Sequence, residues 1–126
     1  VSDSRRASII PSRYRFPLRD ILAACEYYRE SNGRIVTLEY TLVPEHNDAE
    51  QDAVRLAELA KRLRAKINLI PLNPTRPKLS PPSPRDVDRF AEKLRGQGAR
   101  VTVRHSRGAD IDAACGQLHS RRRQAQ

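Results

Sequence analysis

Apolar and polar positions along the chain switch repeatedly between two periods. Leu18, Ile21, Leu22, Cys25 and Tyr28 recur at helical spacing and predict a helix with one apolar stripe. Pro17 stands at its start, where a missing N–H costs nothing, and Gly33 is suited to close it. From Arg34 to Val43 the period becomes two. Val36, Leu38, Tyr40 and Leu42 alternate with Ile35, Thr37, Glu39 and Thr41. Both sets are largely compatible with burial, which predicts a parallel strand covered on each side. Glu39 is the exception, placed near the C-terminal end of that strand. A second helix follows, with Asn47 as its expected cap, Glu50 three residues on, and a buried face of Ala49, Ala53, Leu56, Ala57, Ala60 and Leu63. Lys61, Arg62 and Arg64 gather where its dipole favours cations.

Ile67 to Leu72 reads as a second short strand. Six of the nine prolines then lie between Pro71 and Pro84, which marks a long loop. Ser83, Pro84 and Asp86 open a third helix, Val87, Phe90, Ala91 and Leu94 form its stripe, and Gly96 and Gly98 end it. Arg100 to His105 is the third strand. Residues 1–16 look basic and irregular. Residues 120–126 are expected to be a basic, disordered tail, and residues 1–119 one unit. Helices alternating with strands imply an α/β fold with parallel strands joined by crossover helices. Three parallel strands cannot close a barrel, and an edge would stand open. The chain therefore reads as the last part of a larger α/β barrel or sheet. The absence of Met and the Val start agree with a piece of a longer product.

Composition narrows the class. The 126 residues carry a net charge of +9 at a pI near 10.4, with 38% hydrophobic residues. The excess sits mainly in the C-terminal half, which suits a polyanion partner through counterion release, or equally a solvated surface. Two cysteines cannot staple a secreted scaffold, and no apolar run approaches a membrane span. A cytoplasmic protein with no membrane partner is expected.

Few residues carry candidate chemistry. Cys25, Cys115, His46, His105 and His119 show no metal-ligand spacing, so no metal site is expected. Cys25 belongs to an apolar stripe and reads as a core thiol. Cys115 lies in DIDAACGQL. Ile111, Ala114, Cys115 and Leu118 share helical spacing, which fits a buried thiol on a short helix. The other reading is a nucleophile or covalent carrier, with Asp110 and Asp112 opposing its ionisation and Arg107 favouring it. Asn73, just past the second strand, and Glu39 on the first could hydrogen-bond a polar ligand or merely cap loops.

The stretches VTLEYTLVPEHND, INLIPLNP and VTVRHSRGADIDAACGQL occur in the order and spacing of a known family, and RRASIIPSRYRFPLRDILAAC resembles its preceding segment. From about residue 1 to Leu118 the chain resembles the C-terminal part of the radical-SAM 23S rRNA adenine C2-methyltransferases, the RlmN/Cfr group. The resemblance implies the last strands of a partial (β/α) barrel. It implies that Cys115 receives a methyl group from S-adenosylmethionine and passes it, as a carbon radical formed with the help of a 4Fe-4S cluster, to adenine C2. It implies that Asn73 contacts S-adenosylmethionine, and the substrate expected is 23S rRNA, with tRNA a further candidate. The family's CxxxCxxC motif is absent, so the cluster ligands are expected outside this chain, in the missing N-terminal part of the same protein, and this chain alone is expected to be inactive. Ala109 replaces an acidic residue of the family pattern, Arg13 an asparagine, and Glu45–His46 a glycine–apolar pair. The alternatives are a non-catalytic basic RNA-binding module that kept the fold, and a truncated product that folds poorly alone.

Overall fold

A computed structural model describes residues 1–10, 12–73 and 79–104. Ser2 opens helix α1 (Asp3–Ile9), its side chain accepting from the Arg5 N–H at 3.4 Å. A short 3-10 turn at Ser12–Tyr14 follows. The stretch expected to be irregular is thus partly helical. Seven residues with two polar faces carry no periodic apolar signal by which to foresee it. Helix α2 (Leu18–Asn32) begins after Pro17 and ends on Gly33, whose φ of 64° is the left-handed conformation that glycine adopts without strain.

The remaining elements alternate as the pattern predicts: β1 (Thr37–Leu42), α3 (Glu50–Leu63), β2 (Lys66–Pro71), α4 (Pro84–Gly96) and β3 (Val101–Val103). Ser83 caps α4, accepting from the Asp86 N–H at 3.1 Å, with Pro84 in the first turn. The cap of α3 differs from expectation. Its N-cap is Ala49, and the Asp52 carboxylate reaches back to the Ala49 N–H at 3.2 Å. Asn47 is used in the preceding loop instead.

The three strands form one parallel sheet in the order β1-β2-β3. Leu38 pairs with Ile67 and Ile67 with Val101; Tyr40 pairs with Leu69 and Leu69 with Val103. These residues turn one face toward α3 and α4. Leu42, Ile67 and Leu69 are buried there with Leu56, Ala57, Ala60, Val87, Phe90, Ala91 and Leu94. The Tyr40 and Phe90 rings stack with centroids 5.8 Å apart and an 8° interplanar angle. Each large side chain fully buried in this layer contributes roughly 1.5–3 kcal/mol. Pro71 has no N–H to donate and stands at the last position of β2, and the next amide, Leu72, donates to the Leu42 carbonyl at 3.1 Å.

The opposite face corrects the expectation of strands covered on both sides. Among the described residues nothing covers it, and Thr37, Glu39 and Thr41 are exposed. Helix α2 does not seal the molecule either. It leans on α3 through Glu26, paired with Arg62 at 2.8 Å, and it has no buried residue. Among the described residues Cys25 is accordingly not enclosed as a core thiol would be. It is half-buried and lines an open groove of about 560 Å³ with Phe16, Ile21, Tyr28, Ile35 and Val36, beside the free edge of β1.

Candidate ligand site on the open sheet face

Strand alternation sends every second residue away from the helices. Thr37, Glu39 and Thr41 of β1, Lys66, Asn68 and Ile70 of β2, and Thr102 of β3 share the open face. The register places three of them in one row: Glu39 pairs with Asn68, and Asn68 with Thr102. Neighbouring strands lie about 4.8 Å apart, so the row extends over roughly 10 Å. It offers a carboxylate, a carboxamide and a hydroxyl, which together accept from and donate to a polar ligand. Glu39 and Thr102 are exposed and Asn68 is half-buried.

The sequence pattern puts Glu39 and Asn73 both near strand C-termini. Glu39 is instead the third of six residues in β1, level with Asn68. Asn73 is half-buried beyond the end of β2, five residues further on, or roughly 16 Å along the sheet. The two can therefore serve one ligand only if it lies extended along the face toward the rim. Asn68 and Thr102 escape a reading of the sequence. An asparagine inside the apolar run of β2 is a visible signal, but its partners depend on register.

The rim is built by the loop between β1 and α3. Asn47 organises it: its Oδ1 accepts from the Val43 N–H at 2.7 Å, its Nδ2 donates to the Thr41 carbonyl at 2.7 Å, and its own carbonyl accepts from the Tyr40 hydroxyl at 2.8 Å. Glu45 is held at a φ of 66°, with its N–H donating to Asp48 Oδ1 at 3.0 Å. His46 Nδ1 lies 2.9 Å from the Pro44 carbonyl, so a neutral ring carries its proton on that nitrogen and donates it.

Behind the loop, Asp52 is buried at the first turn of α3. It accepts from the Arg5 guanidinium and, at 3.1 Å, from the Val1 nitrogen. Burial opposes its ionisation, but the hydrogen bonds and charge of the Val1 ammonium and of Arg5 prevail and hold the carboxyl below the usual carboxylate range. Tyr40 moves the other way. Burial first, then the negative charge of Asp52, push its hydroxyl well above the ordinary tyrosine value, while Arg5 partly offsets them. Tyr40 therefore stays a protonated donor to Asn47.

Cys115, with Asp110, Asp112, Arg107, His105 and His119, lies outside the described residues, as does the expected tail at 120–126. Among the described residues no three His, Cys, Asp or Glu side chains are grouped to hold a metal ion, and no helix is long and apolar enough to cross a membrane.

Comparisons with known proteins bear on the site. No protein-family model matches the chain. Its curated relatives include a probable dual-specificity RNA methyltransferase RlmN of Thermosipho melanesiensis, 41% identical over 97% of this chain and 36% of the relative. A second, from Symbiobacterium thermophilum, is 44% identical over 95% of this chain and 33% of the relative. The dual-specificity RNA methyltransferase RlmN of a Marinomonas species is 43% identical over 99% of this chain. Among solved structures, a radical SAM methyltransferase from Sphaerobacter thermophilus superposes with a TM-score of 0.82 at 44% identity, over 92% of this chain and 34% of that one. The chain spans about a third of the length of the curated relatives it matches.

Proposed function

Given that the chain is homologous over nearly its whole length to one third of the radical-SAM RNA methyltransferases named RlmN, we propose that it forms the C-terminal strand–helix units of such an enzyme. The reaction is methylation of adenine C2 in 23S rRNA, with tRNA as a further substrate, in the cytoplasm. The homology carries this reading. The open polar face of the sheet supports it, because a parallel sheet normally has both faces covered and binds ligands toward its strand C-termini.

S-adenosylmethionine suits what the face offers. Its amino acid and ribose groups need both donors and acceptors, and the Glu39–Asn68–Thr102 row supplies both. When bound, it would supply a methyl group activated by a sulfonium. Glu39 would accept from its hydroxyl or ammonium groups, and Asn73 would hold its end at the rim. Cys115 would accept the methyl group, its thiol giving up a proton and forming a carbon–sulfur bond as the sulfonium bond breaks. A 4Fe-4S cluster does not fit this chain. Its cysteines, Cys25 and Cys115, are two and far apart in sequence, so the cluster ligands belong to the remainder of the protein and the isolated segment is inactive.

The test is mass spectrometry of the full-length protein produced with S-adenosylmethionine. The Cys115 peptide should gain one methyl group, and Cys115→Ala should abolish RNA methylation. An unmodified Cys115 with methylation intact in that variant overturns the reading.

A further inference from the structure

We propose that the surface at the N-terminal ends of the strands is a second RNA contact, which holds phosphate backbone roughly 20 Å from the sheet end assigned to base chemistry. The proposal rests on the reading of this chain as part of an RNA-modifying enzyme, and it adds a surface that the reaction itself does not require.

Three contacts show that the surface is continuous. The C-termini of α2, α3 and α4 all lie at this end of the sheet. The Arg29 guanidinium on α2 donates to the Arg62 carbonyl on α3 at 3.4 Å. A Cβ built on Gly98, after α4, would stand 3.2 Å from the Lys61 side chain of α3. Arg95 of α4 donates to the Val101 carbonyl of β3 at 3.3 Å. Helix dipoles account for cations on the last turns. They account for Arg64 as well, the C-cap of α3, but not for Arg100, just before β3. Both are exposed. Arg62 is paired with Glu26, whereas Lys61, Arg64 and Arg100 form no ion pair among the described residues.

The opposite end is mixed in sign among the described residues. Glu45, Asp48 and Glu50 line the loop and first turn after β1, and Asp86 and Asp88 open α4, but Arg85 and Arg89 stand beside them and Arg104 follows β3. Asp52 there is matched by Arg5 and Asp86 by Arg89. An RNA whose base enters at that end meets charges of both signs. Its backbone gains a clearer attraction at the unpaired cations about one strand length away. A single nucleotide cannot span that distance, so a folded or long RNA benefits and a short one does not.

The experiment measures binding of the full-length protein to an RNA stem–loop across a salt series. In one variant Lys61→Gln, Arg64→Gln and Arg100→Gln are combined. In a control Arg19→Gln, Arg55→Gln and Arg85→Gln remove the same charge away from this surface. The first should lower the slope of log affinity on log salt by about 2–3, near 0.9 for each phosphate no longer neutralised. The control should leave the slope unchanged, and both should keep the methyl group on Cys115. Arg100→Gln alone should give about one third of the effect, which guards against misfolding of the triple variant. Equal slopes for the two triples, no change in either, or preferential binding of the surface to phosphatidylserine vesicles overturns the proposal. Loss of the Cys115 methyl group in the unaltered protein, with the slope difference intact, overturns the enzymatic reading and leaves the surface standing.

Discussion

Glu45 occupies a backbone conformation that its side chain opposes. At a φ of 66° its Cβ crowds the adjacent carbonyl, a strain of roughly 1–2 kcal/mol for a residue other than glycine. A glycine would adopt this φ without strain. Asp48 compensates in part by accepting the Glu45 N–H. Glu45→Gly should therefore raise the stability of the chain by about 0.5–1 kcal/mol, since relief of strain exceeds the added freedom of the unfolded chain. Chemical denaturation decides it: a fall in the midpoint would show that the loop is not strained. At the same scale, Cys25 shows how a local pattern misleads. Its stripe predicts a buried thiol, yet among the described residues it is only half-buried and faces an open groove.

At the scale of elements, the informative feature is the junction of α1, β1 and α3. Asp52 ties α1 to the start of α3 through Arg5, and Tyr40 links β1 to the same loop through Asn47. The sign of the pH dependence follows from the direction of the Asp52 shift. In the 126-residue chain, with a free amine at Val1 beside Arg5, its carboxyl is easier to ionise when folded, so the stabilisation is complete above the ordinary aspartate value near ~3.9 and is lost as pH falls through the lower folded value; in a longer protein only the Arg5 share of it remains. Asp52→Asn should cost about 1–3 kcal/mol at neutral pH, and the gap from the unaltered chain should shrink toward pH 3. A gap constant with pH would mean that packing, not charge, fixes the junction. The strands, the three long helices and their caps at Gly33 and Ser83 could be read from periodicity. Helix α1 could not, because its order depends on a carboxylate some fifty residues away.

The described residues form a half-enclosed layer. Among them one face of the sheet is buried under α3 and α4, the other is open, and β1 presents a free edge beside an apolar groove in which Ile35 and Phe16 are largely exposed. Unpaired strand edges next to apolar surface favour association with another chain. The isolated 126-residue chain should self-associate at micromolar concentration, and Ile35→Lys should shift it toward monomer in sedimentation velocity. Monomer at all concentrations in the unaltered chain would show that this surface is benign.

Local rules acting on the amino-acid order alone were enough to set helix and strand periods, the parallel α/β class, the basic balance and the likeness to the methyltransferase segment. Those features depend on neighbours within a few residues, or on motifs read in order. Tertiary structure alone decided that the sheet is covered on one side among the described residues, that Glu39 stands level with Asn68 and Thr102 and far from Asn73, and that Lys61, Arg64 and Arg100 gather at the N-terminal ends of the strands. Each of these depends on which strands pair, and in what register. That choice is made by the collective burial of Leu42, Ile67, Leu69 and Leu94 against α3 and α4, and no stretch of sequence carries it by itself.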